Sequence, residues 1–195
     1  MSTPGLLLTG GAGSRMGRNK ATVAAHGATL AEITLARLAD VCDPVIELGP
    51  GYTGVRFLED RAPHSGPLHA LAGAAGALGP ELSRGAVVLA VDMPMAPVAL
   101  LGHLADGPDE SLVPRLADYA QPLCARYSSG ALQTAAALAS AGARSMKALL
   151  EAIAVRWLEG RDLEVLIAAG ALEDIDDPAA LERWIETGLQ DRPGL

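Results

Sequence analysis

The residues in this chain best suited to chemistry lie in one short stretch, Leu6-Leu7-Leu8-Thr9-Gly10-Gly11-Ala12-Gly13-Ser14-Arg15-Met16-Gly17-Arg18-Asn19-Lys20. Four glycines, Gly10, Gly11, Gly13 and Gly17, fall within eight positions directly after an apolar run. Glycines so placed let a backbone turn sharply and bring its N–H groups up to an anion, as phosphate-cradling nests do. Arg15 and Lys20 add fixed positive charge beside them. Two common phosphate motifs fail on spacing. A P-loop needs Gly-Lys followed by Ser or Thr, whereas Lys20 follows Asn19 and precedes Ala21; the dinucleotide fingerprint needs Gly where Met16 stands. A solvated strand-to-helix turn with two surface cations is the plainer alternative. It leaves the preceding strand, the length of the loop and the placement of both cations as coincidences.

A carboxylate completes the constellation. Asp92 ends the unbroken apolar run Ala86 to Val91 and is followed by Met93-Pro94. Such a run suits a strand covered on both faces, and an open sheet binds ligands beyond the carboxyl ends of its strands. Magnesium takes oxygen ligands, often one or two carboxylates plus substrate phosphates, so Asp92 could anchor it. Asp also favours the turn before a proline, which gives Asp92 a purely structural alternative.

The elements that must position these groups alternate. Leu6 to Leu8, Val45 to Leu48, Val55 to Leu58, Ala86 to Val91, Leu112-Val113 and Leu123 to Tyr127 read as strands. Leu30 to Val41, Pro67 to about Leu78, Pro97 to Leu104, Ala131 to Ala139 and Ser145 to Ile153 read as helices. A last helix follows the cap Asp177 and Pro178, turns Leu181, Trp184 and Ile185 to one side, and ends at Gly188. The pattern predicts an α/β, single-domain, three-layer nucleotide-binding fold with a mostly parallel sheet, over residues 1–188, with 189–195 as a frayed tail.

Composition agrees with one domain of 195 residues, half of them hydrophobic but only 3% aromatic, so the core must be Ala, Leu and Val. A net charge of −8 and no basic stripe argue against a nucleic-acid partner. The lack of a long apolar run or a signal-like start argues against a membrane and for the cytoplasm. Cys42 and Cys124 have no metal spacing and are expected to be buried thiols, and His26, His64, His69 and His103 have no ligand spacing either.

Gly10-Gly11, then Arg15-Met16-Gly17, then Lys20, with Asp92 before a proline, resembles the signature of the molybdenum cofactor guanylyltransferase family and its wider group of nucleotidyltransferases. The resemblance runs from Leu6 to about Ile185. It implies that Leu8, Thr9 and Gly10 line base and ribose, that Gly11, Gly13 and Ser14 also bind the nucleotide, that Arg15 holds the leaving pyrophosphate, and that Lys20 contacts the phosphate under attack. Asp60 and the Gly66-Pro67-Leu68 turn would border the nucleotide. Asp92 would hold magnesium; at Asp176 the chain has a carboxylate in place of the family's Asn, which could add a second ligand, while Asp174 and Asp177 serve equally well as turn and cap residues. Gln121-Pro122-Leu123 and Tyr127 resemble the family segment that leads into the strand and helices facing the acceptor, and Arg144-Ser145 a short basic and hydroxyl turn there, with Arg144 either a solvated helix-start residue or an acceptor-phosphate contact. The implied substrates are GTP and molybdopterin, with passing contacts to other proteins of cofactor biosynthesis or to molybdoenzymes. The chain departs from the family at Asp174 and Asp176, where the family has Asn, at Asn19, where Asp is frequent, and at Leu48-Gly49, where some members place an asparagine near the base. A cytidylyltransferase for the same cofactor, a transferase for a sugar or polyol phosphate, and a non-catalytic nucleotide-binding protein are the alternatives.

Overall fold

The structure is a computed structural model and describes residues 2–10, 19–25, 27–59, 65–168 and 171–187. Its strands are β1 (Gly5–Leu8), β2 (Ala24–Ala25), β3 (Ala28–Thr29), β4 (Val45–Leu48), β5 (Phe57–Leu58), β6 (Ala86–Ala90), β7 (Leu112–Leu116), β8 (Tyr119–Ala120), β9 (Cys124–Tyr127) and β10 (Arg156–Leu158). Its helices are α1 (Leu30–Ala39), α2 (Pro67–Leu78), α3 (Val98–Ala105), α4 (Ser129–Ser140), α5 (Met146–Ala152), α6 (Gly160–Glu164) and α7 (Pro178–Thr187).

The main sheet has the order β10-β7-β9-β6-β1-β4-β5, with β8 attached to β7. Pairs β1–β4, β1–β6, β4–β5 and β7–β10 are parallel, and β9 runs antiparallel to both β6 and β7. The expected mostly parallel α/β sheet is therefore what forms. Side chains alternate across it, as a period of two requires. Leu6, Ile46 and Val88 face a layer containing Leu68, Leu71, Leu132 and Leu149 from α2, α4 and α5. Leu7, Val87 and Leu89 face the opposite layer, with Leu38, Leu100 and Leu104 from α1 and α3. Each fully buried Val or Leu contributes about 1.5–3 kcal/mol from water exclusion. With so few aromatics, the stability must come from many such small contributions.

The helix starts carry ordinary local signals. The Thr29 hydroxyl accepts from Glu32 N (3.2 Å) while Glu32 Oε2 accepts from Thr29 N (2.7 Å), a reciprocal cap that starts α1. The Asp177 carboxylate accepts from Ala180 N (2.8 Å), so it caps α7 as its sequence implies. The short strands β2, β3, β8 and β10 and the single-turn α6 have no counterpart in the sequence reading. They are two to five residues long, and the strands among them form because a neighbour is there to pair with; β10, for example, lies along Leu112–Pro114 of β7.

Cys42 and Cys124 are both buried and free, and burial pushes each thiol up to about 12. Thiolate is the reactive form, so both are expected to resist iodoacetamide at neutral pH in the folded protein and to react on unfolding. Rapid labelling of either in the native state, read by mass spectrometry, would contradict the placement. Tyr127 is also wholly buried and donates its hydroxyl to Pro122 O (2.8 Å). No helix among the described residues is long and apolar enough to cross a membrane.

Candidate active site

Strand β1 lies between β4 and β6: the chain runs outward from β1 through α1 to β4 and β5, then returns through α2 to β6 on the other flank of β1, so the strand order reverses there. An open α/β sheet forms its ligand crevice at such a switch point, beyond the strand carboxyl ends. At that edge Thr9 and Gly10 continue β1, Asp92 follows β6, and Gly49 follows β4. Val91 N donates to Leu8 O (3.0 Å), extending the β1–β6 ladder to the residue before Asp92.

Lys20 reaches this edge from a short 3-10 turn, Lys20–Thr22. The Asn19 carboxamide caps the turn by accepting from Ala21 N (2.9 Å), and Ala21 is wholly buried. The Lys20 side chain is largely covered, and Nζ lies 3.1 Å from Asp92 Oδ2 and in direct contact with Asp176 Oδ1. Burial by itself would depress the Lys20 pKa. The hydrogen bond to Asp176 and the field of Asp92 outweigh it and hold the group above the ordinary lysine range. Asp176 arrives because the C-terminal segment docks here: Ile175 N donates to Asp92 O (2.8 Å), and Ile175, Leu181 and Trp184 pack with Ala21, Val23 and Val91. Asp174 is close as well. Although exposed as a residue, its carboxyl is raised to about 6, first by loss of water around it and then by the negative charge of Asp92 and Asp176.

One ammonium thus meets two carboxylates, with the charge of a third nearby, an imbalance that favours a further cation. Among the described residues no three carboxylate, imidazole or thiol groups converge tightly enough to hold a metal alone. Asp92 and Asp176 offer two oxygen donors, and that fits magnesium, which keeps waters and completes its shell from substrate phosphates.

Strand pairing fixes which backbone groups of the expected nucleotide wall remain available. The N–H groups of Thr9 and Gly10 both donate to Leu48 O (3.2 Å each), so they are not the donors that read a base. Leu8 has its side chain in the core and its carbonyl in the ladder to Val91. The reason is common to both: β1 pairs with neighbours on each side up to its end, and pairing consumes backbone groups. Gly66 has φ of 89°, a left-handed conformation glycine tolerates, just before Pro67 opens α2, while Leu68 is wholly buried in the core. A Cβ on Gly66 would lie 3.3 Å from Arg144 O, so the exposed Arg144 loop borders that turn. Gly11, Gly13, Ser14, Arg15 and Asp60, with His26, His64, Gly188 and the tail, lie outside the described residues.

Sequence reasoning missed Glu47. Its side chain is wholly buried at the end of β4, where it accepts from the Thr9 hydroxyl (2.6 Å) and from the N–H groups of Gly51 (3.0 Å), Tyr52 (2.9 Å) and Thr53 (3.0 Å). A lone acid inside Val-Ile-Glu-Leu, next to a glycine-rich turn full of N–H donors, was the available signal.

The family profile described as the MobA-like NTP transferase domain matches residues 5–159. A protein of Mycobacterium avium named a probable molybdenum cofactor guanylyltransferase is 33% identical over 162 residues, covering 78% of this chain and 82% of that relative. A molybdenum cofactor guanylyltransferase of Xanthomonas euvesicatoria is 33% identical over 150 residues, covering 74% and 76%. The fold matches the crystal structure of a molybdopterin-guanine dinucleotide biosynthesis protein A from Archaeoglobus fulgidus, with a TM-score of 0.80 at 24% identity over 95% of this chain and 98% of that one. It also matches a Mycobacterium tuberculosis protein solved in complex with manganese, with a TM-score of 0.70 at 18% identity over 96% and 100%.

Proposed function

The chain belongs to the MobA-like NTP transferase family and is a nucleotidyltransferase; from that premise we propose that it transfers a guanylyl group from GTP to the terminal phosphate of molybdopterin and releases pyrophosphate. The observation that carries the reading is the meeting of Lys20, Asp92 and Asp176 at the β1–β6 switch point. The acceptor phosphate oxygen is already anionic, so no side chain need remove a proton from it. Its attack forms a bond to the α-phosphorus as the bond to the β-phosphate oxygen breaks, and pyrophosphate leaves with that electron pair. Positioning and charge neutralisation then account for most of the rate.

In this proposal the Lys20 ammonium leaves its carboxylates for the α-phosphate, where negative charge grows in the transition state. Arg15 holds the departing pyrophosphate. Gly11, Gly13 and Ser14 follow the phosphates, and Asp60 with the Gly66-Pro67 turn borders the nucleotide. Asp92 and Asp176 would hold magnesium, which when bound supplies charge neutralisation at the phosphate oxygens. The reaction setting is the cytoplasm.

GTP is expected to be preferred at least about tenfold over ATP, CTP and UTP. Guanine presents N1–H and N2 donors, and the carbonyls of Thr9 and Gly10 stand at the sheet edge to accept them. Adenine in their place would leave buried acceptors unpaired, at about 1–3 kcal/mol each. Pyrophosphate release should be measured with each of the four triphosphates, with and without molybdopterin. Preference for CTP would make the chain a cytidylyltransferase, release only with a sugar or polyol phosphate would change the acceptor, and binding without release would leave a nucleotide-binding protein.

A further inference from the structure

A buried carboxylate is expensive to desolvate, and a glycine- and proline-rich turn such as Gly49-Pro50-Gly51 needs no acid to form. Glu47 nevertheless sits fully buried beneath it and takes five hydrogen bonds, the fifth from the Thr53 hydroxyl (2.7 Å). Burial works to raise its pKa, but the donors from Thr9, Thr53 and Tyr52 prevail and hold the group ionised. Those donors come from two separate segments. Thr9 belongs to the end of β1, and Gly51 to Thr53 belong to the turn after β4.

The same turn makes two further contacts. A Cβ on Gly49 would lie 2.1 Å from Thr9 Oγ1 and 3.0 Å from Gly10 N, so the turn and the end of β1 approach as closely as glycine allows. At its other side the Tyr52 hydroxyl accepts from the Asn19 carboxamide (2.5 Å), next to Lys20. The turn is therefore fastened both to Gly10 and to Asn19, the two described residues that flank Gly11 to Arg18.

We propose that Glu47 is a positioning residue for the nucleotide: by clamping the Gly49–Thr53 turn onto Thr9, and through Tyr52 onto Asn19, it sets the spacing between the two anchors of the glycine-rich segment. This rests on the reading of that segment as the nucleotide site. Glu47 does not touch the reacting atoms, so its effect falls on nucleotide affinity and not on the chemical step.

The test compares Glu47→Gln, Tyr52→Phe and the double variant with the parent, using GTP titration, the KM and kcat of pyrophosphate release, and thermal unfolding. The glutamine nitrogen cannot accept, so the Thr53 N–H loses its acceptor and the charge that gathers the other donors is gone, while Tyr52→Phe removes only the Asn19 contact from a partly exposed ring. Glu47→Gln is expected to raise the KM for GTP about tenfold with kcat within about twofold, the signature of lost binding common to ground and transition states. Tyr52→Phe should raise KM about threefold, and the double variant should match Glu47→Gln alone, because both act through one turn. Unchanged KM in a folded Glu47→Gln protein, fully additive losses, or a fall in kcat at constant KM would each overturn the assignment. If Glu47→Gln does not fold, Thr53→Val and Tyr52→Phe on the turn surface decide it by the same KM-against-kcat comparison. Absence of GTP binding by the parent would overturn the nucleotide reading and this inference with it, whereas binding by the parent with unaffected variants overturns this inference alone.

Discussion

Asp92→Ala is expected to abolish pyrophosphate release, to below about one-thousandth of the parent rate, while leaving the protein folded. Its carboxylate is one of two that contact Lys20 at the switch point, and in the proposed mechanism it anchors the magnesium that neutralises the phosphates. Removing such an anchor takes away both a metal ligand and the charge that places Lys20, so the loss exceeds that of a single preorganised donor, which is about 100- to 1,000-fold. The fold should survive because the structural part of Asp92 is its backbone. Ile175 N donates to the Asp92 carbonyl, and the packing of Ile175, Leu181 and Trp184 continues from there without the side chain. Thermal unfolding and a magnesium titration of activity separate the outcomes. An Asp92→Ala protein as active as the parent at saturating magnesium would make Asp92 only the turn residue that its position before Met93-Pro94 also suits.

What the sequence made legible follows from how local the cause was. Strand β6 could be placed because five consecutive apolar residues admit few other roles, and its end located Asp92. Lys20 could be placed because glycine spacing and basic charge are written next to each other. Asp176 is different: it lies 156 positions from Lys20, and only the docking of α7 over Ala21 and Val23 brings it in. Its motif suggested a metal role, but its ion pair with Lys20 depends on tertiary packing. The same holds for Arg126, wholly buried, whose guanidinium donates to Leu104 O (3.0 Å), Ala105 O (2.8 Å) and Arg84 O (2.9 Å). It closes the carbonyl end of α3, a position where cations are favoured, yet nothing near it in sequence indicates that partner. Glu47 belongs with these cases, since its donors are gathered from two segments that meet only in the folded sheet.

Lys20→Ala is expected to lower kcat by about 100-fold or more while weakening GTP binding much less, since a charge aimed at the α-phosphate acts most strongly when that group gains charge in the transition state. The structure adds a second expectation. Lys20 compensates Asp92 and Asp176, with Asp174 close enough to feel both. Without the ammonium, these carboxylates face one another across a partly buried space, and like charges so placed repel. The variant should therefore unfold at a lower temperature than the parent when no divalent ion is present. Adding magnesium or manganese should raise its unfolding temperature by more than it raises the parent's, because an ion entering the parent must compete with Lys20 and an ion entering the variant meets no such competitor. The two readouts are independent: turnover reports the contact of Lys20 with the phosphate, and the metal-dependent shift reports its place between the carboxylates. Near-parental turnover in a folded Lys20→Ala protein would remove Lys20 from the mechanism. Equal metal stabilisation of parent and variant would instead show that Lys20 and the metal do not contend for Asp92 and Asp176, and that the ion, if these carboxylates hold one, sits beside the ammonium and not in its place.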